Sequence, residues 1–206
     1  MPTLVYFPVR GRAEAMRTLL TDQNITYEEV NAGPRENWVE NWKPKMQFGQ
    51  CPCYTDDDGF QLVQSNAILA YLGRKYDLYG SDIKQASILD MMNSAVEDIR
   101  GAYVRMIYQN YEAGKEPFIK ELPEKLQPFE NLLKPTKGYI LGEKISWVDY
   151  NLFDLLDILI ILSPGCLDAF PAVKAFYEQV LARPGVQKRR QTDHFKNMPV
   201  NGNGKQ

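Results

Sequence analysis

Three short stretches carry side chains that could do chemistry together. Tyr6 sits where an apolar run, Leu4-Val5-Tyr6-Phe7, meets Pro8 and a glycine turn at Gly11. A phenol donates a hydrogen bond, and a helix N-terminus favours negative charge. A tyrosine at the end of a strand and facing such a terminus can therefore stabilise a small anion such as a thiolate. Gln64-Ser65 opens a second helical stretch, where a hydroxyl and free N–H groups make a carboxylate site. Cys51-Pro52 precedes a strand, and a cis bond there would turn the backbone of Cys51 sideways to pair with an extended peptide. Together these features describe one ligand: extended, carboxylate-bearing, with a group near Tyr6 that can ionise. A tripeptide thiol such as glutathione has all three properties.

The elements that must position these residues follow from composition and pattern. Residues 4–7 read as a buried strand. Pro8 ends it, and Ala13, Met16 and Leu20 then recur at helical spacing. Residues 26–31 read as a second strand, and Gly33-Pro34 breaks the chain before a polar loop or irregular helix. A third strand enters at residues 50–54. Asp56-Asp57-Asp58-Gly59 supplies the Asp-Gly signal of a hairpin, residues 60–63 form the fourth strand, and Ser65 is expected to cap the following helix. The order βαβ, connecting segment, ββα is the thioredoxin-like arrangement.

Beyond a linker at residues 77–82 the signals are helical. Residues 83–110 form one long helix or two, with Ile88, Met91, Met92, Ala95, Ile99 and Met106 as a core-facing stripe. Residues 116–133 form a further helix that Pro123 and Pro128 should bend or interrupt. Ser146 and Asp149 have the spacing of a reciprocal N-terminal cap ahead of Val148, Leu152, Leu155, Leu156, Leu159 and Ile160, a buried face. Residues 172–181 make the last helix before Arg183-Pro184-Gly185, and the polar tail from Thr192 is expected on the surface. The predicted organisation is an α/β thioredoxin-like domain over residues 1–76, the linker, and an all-α domain over residues 83–206.

Composition excludes several classes. The chain of 206 residues has 44% hydrophobic residues and a formal net charge of -2, so it can bury a core and presents no basic field for nucleic acid. Its longest apolar run, residues 152–162, is short and interrupted by Asp154 and Asp157, so no membrane span is expected. No basic-then-apolar leader opens the sequence. Three cysteines, Cys51, Cys53 and Cys166, give no disulfide framework and suit a reducing, cytoplasmic setting. The single histidine, His194, lies in the polar tail, which argues against Ser–His or Cys–His catalysis, and no cluster has metal-ligand spacing.

The motifs resemble the glutathione S-transferase superfamily, and its vertebrate Pi class closely. The resemblance rests on Tyr6-Phe7-Pro8-Val9-Arg10-Gly11-Arg12, Gln64-Ser65-Asn66, Leu78-Tyr79-Gly80, Val96-Glu97-Asp98, Tyr108-Gln109-Asn110-Tyr111, Pro164-Gly165-Cys166-Leu167 and the ending at Asn201, and it spans essentially the whole chain. It implies a detoxifying homodimeric transferase that conjugates glutathione, its co-substrate, to small hydrophobic electrophiles, with no metal, nucleic acid or membrane partner. Tyr6 would donate to the glutathione sulfur. Arg12, Trp38, Lys43, Gln50 and the backbone of Cys51 would hold the tripeptide, Gln64 and Ser65 its γ-glutamyl end, and Asp98 would reach the partner subunit's glutathione. Phe7, Val9, Val104, Tyr108, Asn201 and Gly202 would line the electrophile pocket. Phe48 stands where the class usually has the tyrosine that keys the dimer, Met46 replaces its reactive cysteine, and Cys51 and Cys53 replace a leucine and a lysine. Cys51 is thus either a small buried residue or a thiol near bound glutathione, able to form a mixed disulfide. A glutathione-dependent isomerase and a non-catalytic binding module of the same fold are the alternative functions.

Overall fold

A computed structural model describes residues 1–136 and 138–206. Its sheet has the order β2-β1-β3-β4, built from β1 (Thr3–Tyr6), β2 (Glu28–Asn31), β3 (Cys53–Thr55) and β4 (Gln61–Val63). β1 runs parallel to β2, with Val5 opposite Val30, and antiparallel to β3, with Leu4 opposite Tyr54. β3 and β4 form the hairpin that Asp56 to Gly59 signals. Strand periodicity then sorts the side chains. Leu4, Tyr6 and Tyr54 join the large core on the helical side, while Val5, Cys53 and Val63 pack with Ala32 and Met46 on the other face.

Between β1 and β2 lies α1 (Glu14–Asp22), and β4 leads into α3 (Ser65–Lys75). The Gly33–Pro34 and Cys51–Pro52 peptide bonds are cis. From Arg35 to Gly49 the chain makes a short α2 (Arg35–Asn37) and then π and 3-10 turns, an irregular helical segment. This sheet with its helices is the thioredoxin-like unit, and the rest of the described chain is almost entirely helical.

α4 (Ile83–Gln109) is a single helix, started by the Asp82 carboxylate, which accepts the N–H groups of Lys84 and Gln85 at 2.8 and 2.9 Å. Its expected core stripe holds only in part. Met92, Ile99 and Met106 are buried, but Ile88 is 42% and Met91 53% exposed. α5 (Tyr111–Leu133) is not interrupted by its prolines, running unbroken through Pro117, Pro123 and Pro128. All three prolines lie on its exposed side, while Phe118, Leu122, Leu126 and Phe129 bury the opposite side.

α6 (Trp147–Leu162) is the centre of the helical part, and only Ile160 and Ile161 escape full burial. A buried start needs its N–H groups satisfied. The Asp149 carboxylate does this by accepting from the Ser146 N–H at 2.7 Å, the Ser146 hydroxyl at 2.5 Å and the Ile140 N–H at 2.8 Å. α7 (Pro171–Leu181) follows, with its first N–H groups taken by Glu130.

Two features of the C-terminal end add to the sequence reading. α7 ends ahead of Arg183-Pro184-Gly185 as expected, and Pro184 then opens a further helix, α8 (Pro184–Gln191), with proline in the first turn, where its missing N–H costs nothing. Gly185 is required by packing: a Cβ there would stand 2.2 Å from Cα of Asp22 in α1. The tail lies only partly at the surface. After α9 (Asp193–Lys196), Met198, Val200 and Asn201 are buried against the body of the protein. Phe195 lies under the Arg10 guanidinium, 4.0 Å from its ring centre.

Candidate active site

β1 ends at Tyr6, and the turn that follows is folded back onto the phenol. Gly11 has φ +44, and a Cβ there would stand 2.6 Å from the Tyr6 hydroxyl oxygen, so only glycine lets the turn approach so closely. The Arg12 N–H then donates to that oxygen at 3.0 Å. The turn is pinned from outside by the tail, since the N–H groups of Arg10 and Gly11 donate to the carbonyls of Pro199 and Val200 at 2.9 and 3.0 Å. Burial pushes the Tyr6 phenol above its ordinary pKa, and the Arg12 N–H offsets part of that rise. Tyr6 therefore stays neutral. Its oxygen is already an acceptor, and no described residue accepts its proton.

The second helix start is organised differently from expectation. Gln64 holds the cap position at φ 72 and ψ 109, with no side-chain cap, and Ser65 is the first residue of α3. The Ser65 hydroxyl instead accepts from the Arg12 guanidinium, at 3.0 Å from Nε and 2.6 Å from Nη2. A non-glycine residue held at such a backbone angle costs about 1–3 kcal/mol, and such residues gather at ligand clamps. The Gln64 amide donates to the Gln50 side chain at 2.6 Å, tying the loop before β3 to α3. Cys51 lies outside the strand ladder, which begins at Cys53.

Arg12 also joins the two parts of the protein, pairing with Glu97 of α4 at 2.7 Å. Burial disfavours the charge on Glu97, but Arg12, Arg100 and the Asn151 amide outweigh it and hold the carboxyl below the usual range. Glu97 stands in the Val96-Glu97-Asp98 motif, yet sequence reasoning gave a role only to Asp98. Arg100, Tyr103, Ile158 and Val200 were missed as well. The one available signal was a charged Arg100 at helical spacing from the buried Val96 and Tyr103 of α4.

Three adjoining cavities result. A polar one of about 500 Å³ is walled by Arg12, Trp38, Gln50, Cys51, Gln64 and Ser65, which the sequence placed together, and also by Glu97. An open one of about 520 Å³ has Tyr6, Phe7, Val9, Tyr108 and Gly202 in its walls. An inner one of about 270 Å³ lies between Tyr6, Val104, Tyr108 and Asn201. Tyr6 is common to the last two, and Phe7 and Arg12 border the polar cavity beside it. Lys43 and Asp98 are not among the wall residues; both are exposed, and the Lys43 stem lies near Gly49.

The match to known proteins covers both halves of this arrangement. The family model for the glutathione S-transferase N-terminal domain matches residues 2–74, and that for the C-terminal domain matches residues 97–192. Glutathione S-transferase P of Bos taurus is 48% identical over 99% of this chain and 98% of the relative. The human protein of that name is 47% identical over the same shares. The chain belongs to the glutathione S-transferase family, in its Pi class. A solved Pi-class glutathione S-transferase of Onchocerca volvulus superposes with a TM-score of 0.94 at 42% identity, covering 100% of this chain and 99% of that one. This glutathione S-transferase is accordingly an enzyme that conjugates glutathione, its co-substrate. Its family binds electrophiles and typically dimerises. No helix among the described residues of the transferase is long and apolar enough to cross a membrane.

Proposed function

We propose that the transferase works by a thiolate mechanism centred on Tyr6, with glutathione in the polar cavity and a small hydrophobic electrophile in the two cavities beside it. The observation that carries this is the Tyr6 hydroxyl itself: neutral, accepting the Arg12 N–H, with its proton uncommitted. A free thiol titrates near pH 8.5, so lowering it by about two units requires roughly 2.7 kcal/mol in favour of the anion. One hydrogen bond to a charged group contributes about 1.5–3 kcal/mol. Tyr6 alone is of the right size to supply that shift, and holding the electrophile beside the sulfur supplies the rest of the acceleration. The chain's contributions divide accordingly. Gln64, Ser65 and Arg12 meet the γ-glutamyl end, Trp38, Gln50 and the Cys51 backbone hold the tripeptide, and Lys43 approaches it from the rim. Phe7, Val9, Val104, Tyr108, Asn201 and Gly202 contact the electrophile. On this reading residues 1–76 bind glutathione, 77–82 link, and 83–206 supply most of the electrophile pocket, in a cytosolic enzyme. The test is Tyr6→Phe, titrating the ultraviolet thiolate band of bound glutathione. The expected result is a bound-thiol pKa raised by one to two units, about 1.5–3 kcal/mol of lost stabilisation, with binding nearly intact. An unchanged titration would overturn the mechanism.

The dimer reading rests on a surface left uncovered in the single chain. Phe48 is held at φ 57 and is 83% exposed, a rare posture for a bulky residue. Ile88, Met91, Ala95 and Asp98 share one face of α4, of which Ile88, Met91 and Asp98 are exposed. A second copy covering that face would bury its apolar side chains and carry Asp98 towards the neighbour's polar cavity, with Phe48 as the key. Phe48→Ala is expected to weaken self-association at least tenfold in sedimentation, whereas Asp98→Ala should raise KM for glutathione with association unchanged. A dimer indifferent to Phe48→Ala would refute the key.

A further inference from the structure

The inner cavity ends in polar groups that thiolate formation does not use. Tyr103 is 1% exposed, and its oxygen accepts from the Asn201 amide at 2.7 Å. That amide also donates to the Lys205 carbonyl at 2.7 Å, so its orientation is fixed by two acceptors. No described residue accepts the Tyr103 hydroxyl proton. Beside it, Arg100 is buried and pairs with Asp154 at 2.9 Å and with the Asn151 carbonyl at 2.9 Å. Its Nε has no hydrogen-bond partner. The charge on Arg100 is thus already matched by Asp154, with Glu97 nearby at 3.6 Å. Val104, Tyr108 and Ile158 supply apolar walls around these groups.

A space of about 270 Å³ admits a substituted benzene ring, since a cavity of roughly 150 Å³ already holds benzene. A ring lying between Val104 and Ile158 with its reactive carbon towards Tyr6 would put its far end at Tyr103 and Arg100. We infer that Tyr103, supported by Arg100 and oriented by Asn201, forms an acceptor subsite that selects electrophiles bearing a neutral oxygen acceptor, such as a nitro or sulfonyl group, opposite the reacting carbon. A carboxylate is disfavoured there because Asp154 and Glu97 stand against it. The inference rests on the reading that this cavity receives the electrophile.

The test compares 4-nitrobenzyl chloride with 4-(trifluoromethyl)benzyl chloride. In both, the glutathione sulfur forms the new bond to the benzylic carbon, chloride leaves with the electron pair, and the thiol proton goes to solvent. Tyr103→Phe removes only the hydroxyl, and Asn201 keeps the Lys205 carbonyl as a partner. The expected result is a fall of about fivefold in the ratio of kcat/KM for the nitro over the trifluoromethyl substrate, the size of one neutral hydrogen bond. In the unaltered enzyme, 4-nitrotoluene should inhibit about fivefold more tightly than the more apolar 4-(trifluoromethyl)toluene. An equal fall for both substrates, no fall, or equal inhibition overturns the subsite. Val104→Trp, which fills the cavity, separates the two levels. If it lowers turnover of both substrates while Tyr103→Phe leaves the ratio unchanged, the acceptor subsite alone is wrong. If Val104→Trp leaves both untouched, the cavity is not the electrophile's and the inference falls with that reading.

Discussion

Gly11→Ala should inactivate the enzyme by displacing Tyr6 without removing any functional group. The added Cβ would stand 2.6 Å from the Tyr6 hydroxyl oxygen and 3.0 Å from Cε1, against the 3.4 Å at which ordinary contact begins. The phenol must retreat by most of an ångström, and at that separation the 3.0 Å bond from the Arg12 N–H is lost. Alanine at φ +44 adds about 1–2 kcal/mol of backbone strain. The strain lowers stability, whereas the displacement lowers activity. If the hydrogen bond to the thiolate contributes about 1.5–3 kcal/mol, its loss reduces kcat/KM roughly 10- to 100-fold. The assay is the pH dependence of kcat/KM with a chloronitrobenzene for the native enzyme, Gly11→Ala, Tyr6→Phe and the double variant. Gly11→Ala should move the kinetic pKa upward as Tyr6→Phe does, and the double variant should be no worse than Tyr6→Phe alone, because both substitutions remove one interaction. Additive losses, or full activity in a merely less stable Gly11→Ala, would refute the reasoning.

Two further outcomes follow from buried ionisable groups. Burial raises the fully enclosed Asp149 carboxyl to about 6, against the hydrogen bonds it accepts from Ser146 and Ile140. Because the folded value lies above the unfolded one, this group's contribution is complete below about pH 4 and is lost as pH rises through about 6, a span of about 3 kcal/mol. Asp149→Asn should flatten that part of the stability–pH curve, measured by urea unfolding, while lowering stability at pH 4 through the lost cap. Burial also pushes the Cys51 thiol up to about 12, leaving almost no thiolate at neutral pH to attack a disulfide. Intact mass after oxidised glutathione treatment should therefore stay unchanged; an added glutathione on Cys51, removed by reductant, would contradict this.

Residues whose roles depend on neighbours in sequence were legible, and those that depend on neighbours in space were not. The strand–turn–helix around Tyr6, the hairpin at Asp56–Gly59 and the cap formed by Ser146 and Asp149 are local, and their patterns carry over to the structure. Ser65 misled because a serine at a helix start usually caps it, whereas here a guanidinium 53 positions away takes the hydroxyl. The α4 stripe misled because Ile88 and Met91 follow the same spacing as Met92 and Ile99, and periodicity cannot distinguish a face meant for the core from one left open. Pro184 and Gly185 have the composition of a turn, but the proline starts a helix and the glycine makes room for Asp22. Glu97, Arg100 and Tyr103 lie on α4 at positions 97, 100 and 103, but that they face two adjoining cavities became visible only once α4 was packed against the rest of the chain.

The carbonyls of Pro199 and Val200 hold the N–H groups of Arg10 and Gly11, so the turn that places Tyr6 is secured by a segment far along the chain from it. During synthesis the part that holds Tyr6 can fold as it emerges, but its turn stays unanchored until residues 199 and 200 have left the ribosome. A product cut off before Pro199 thus carries the motif without the contacts that anchor it, and activity would report that the chain has been made at least that far.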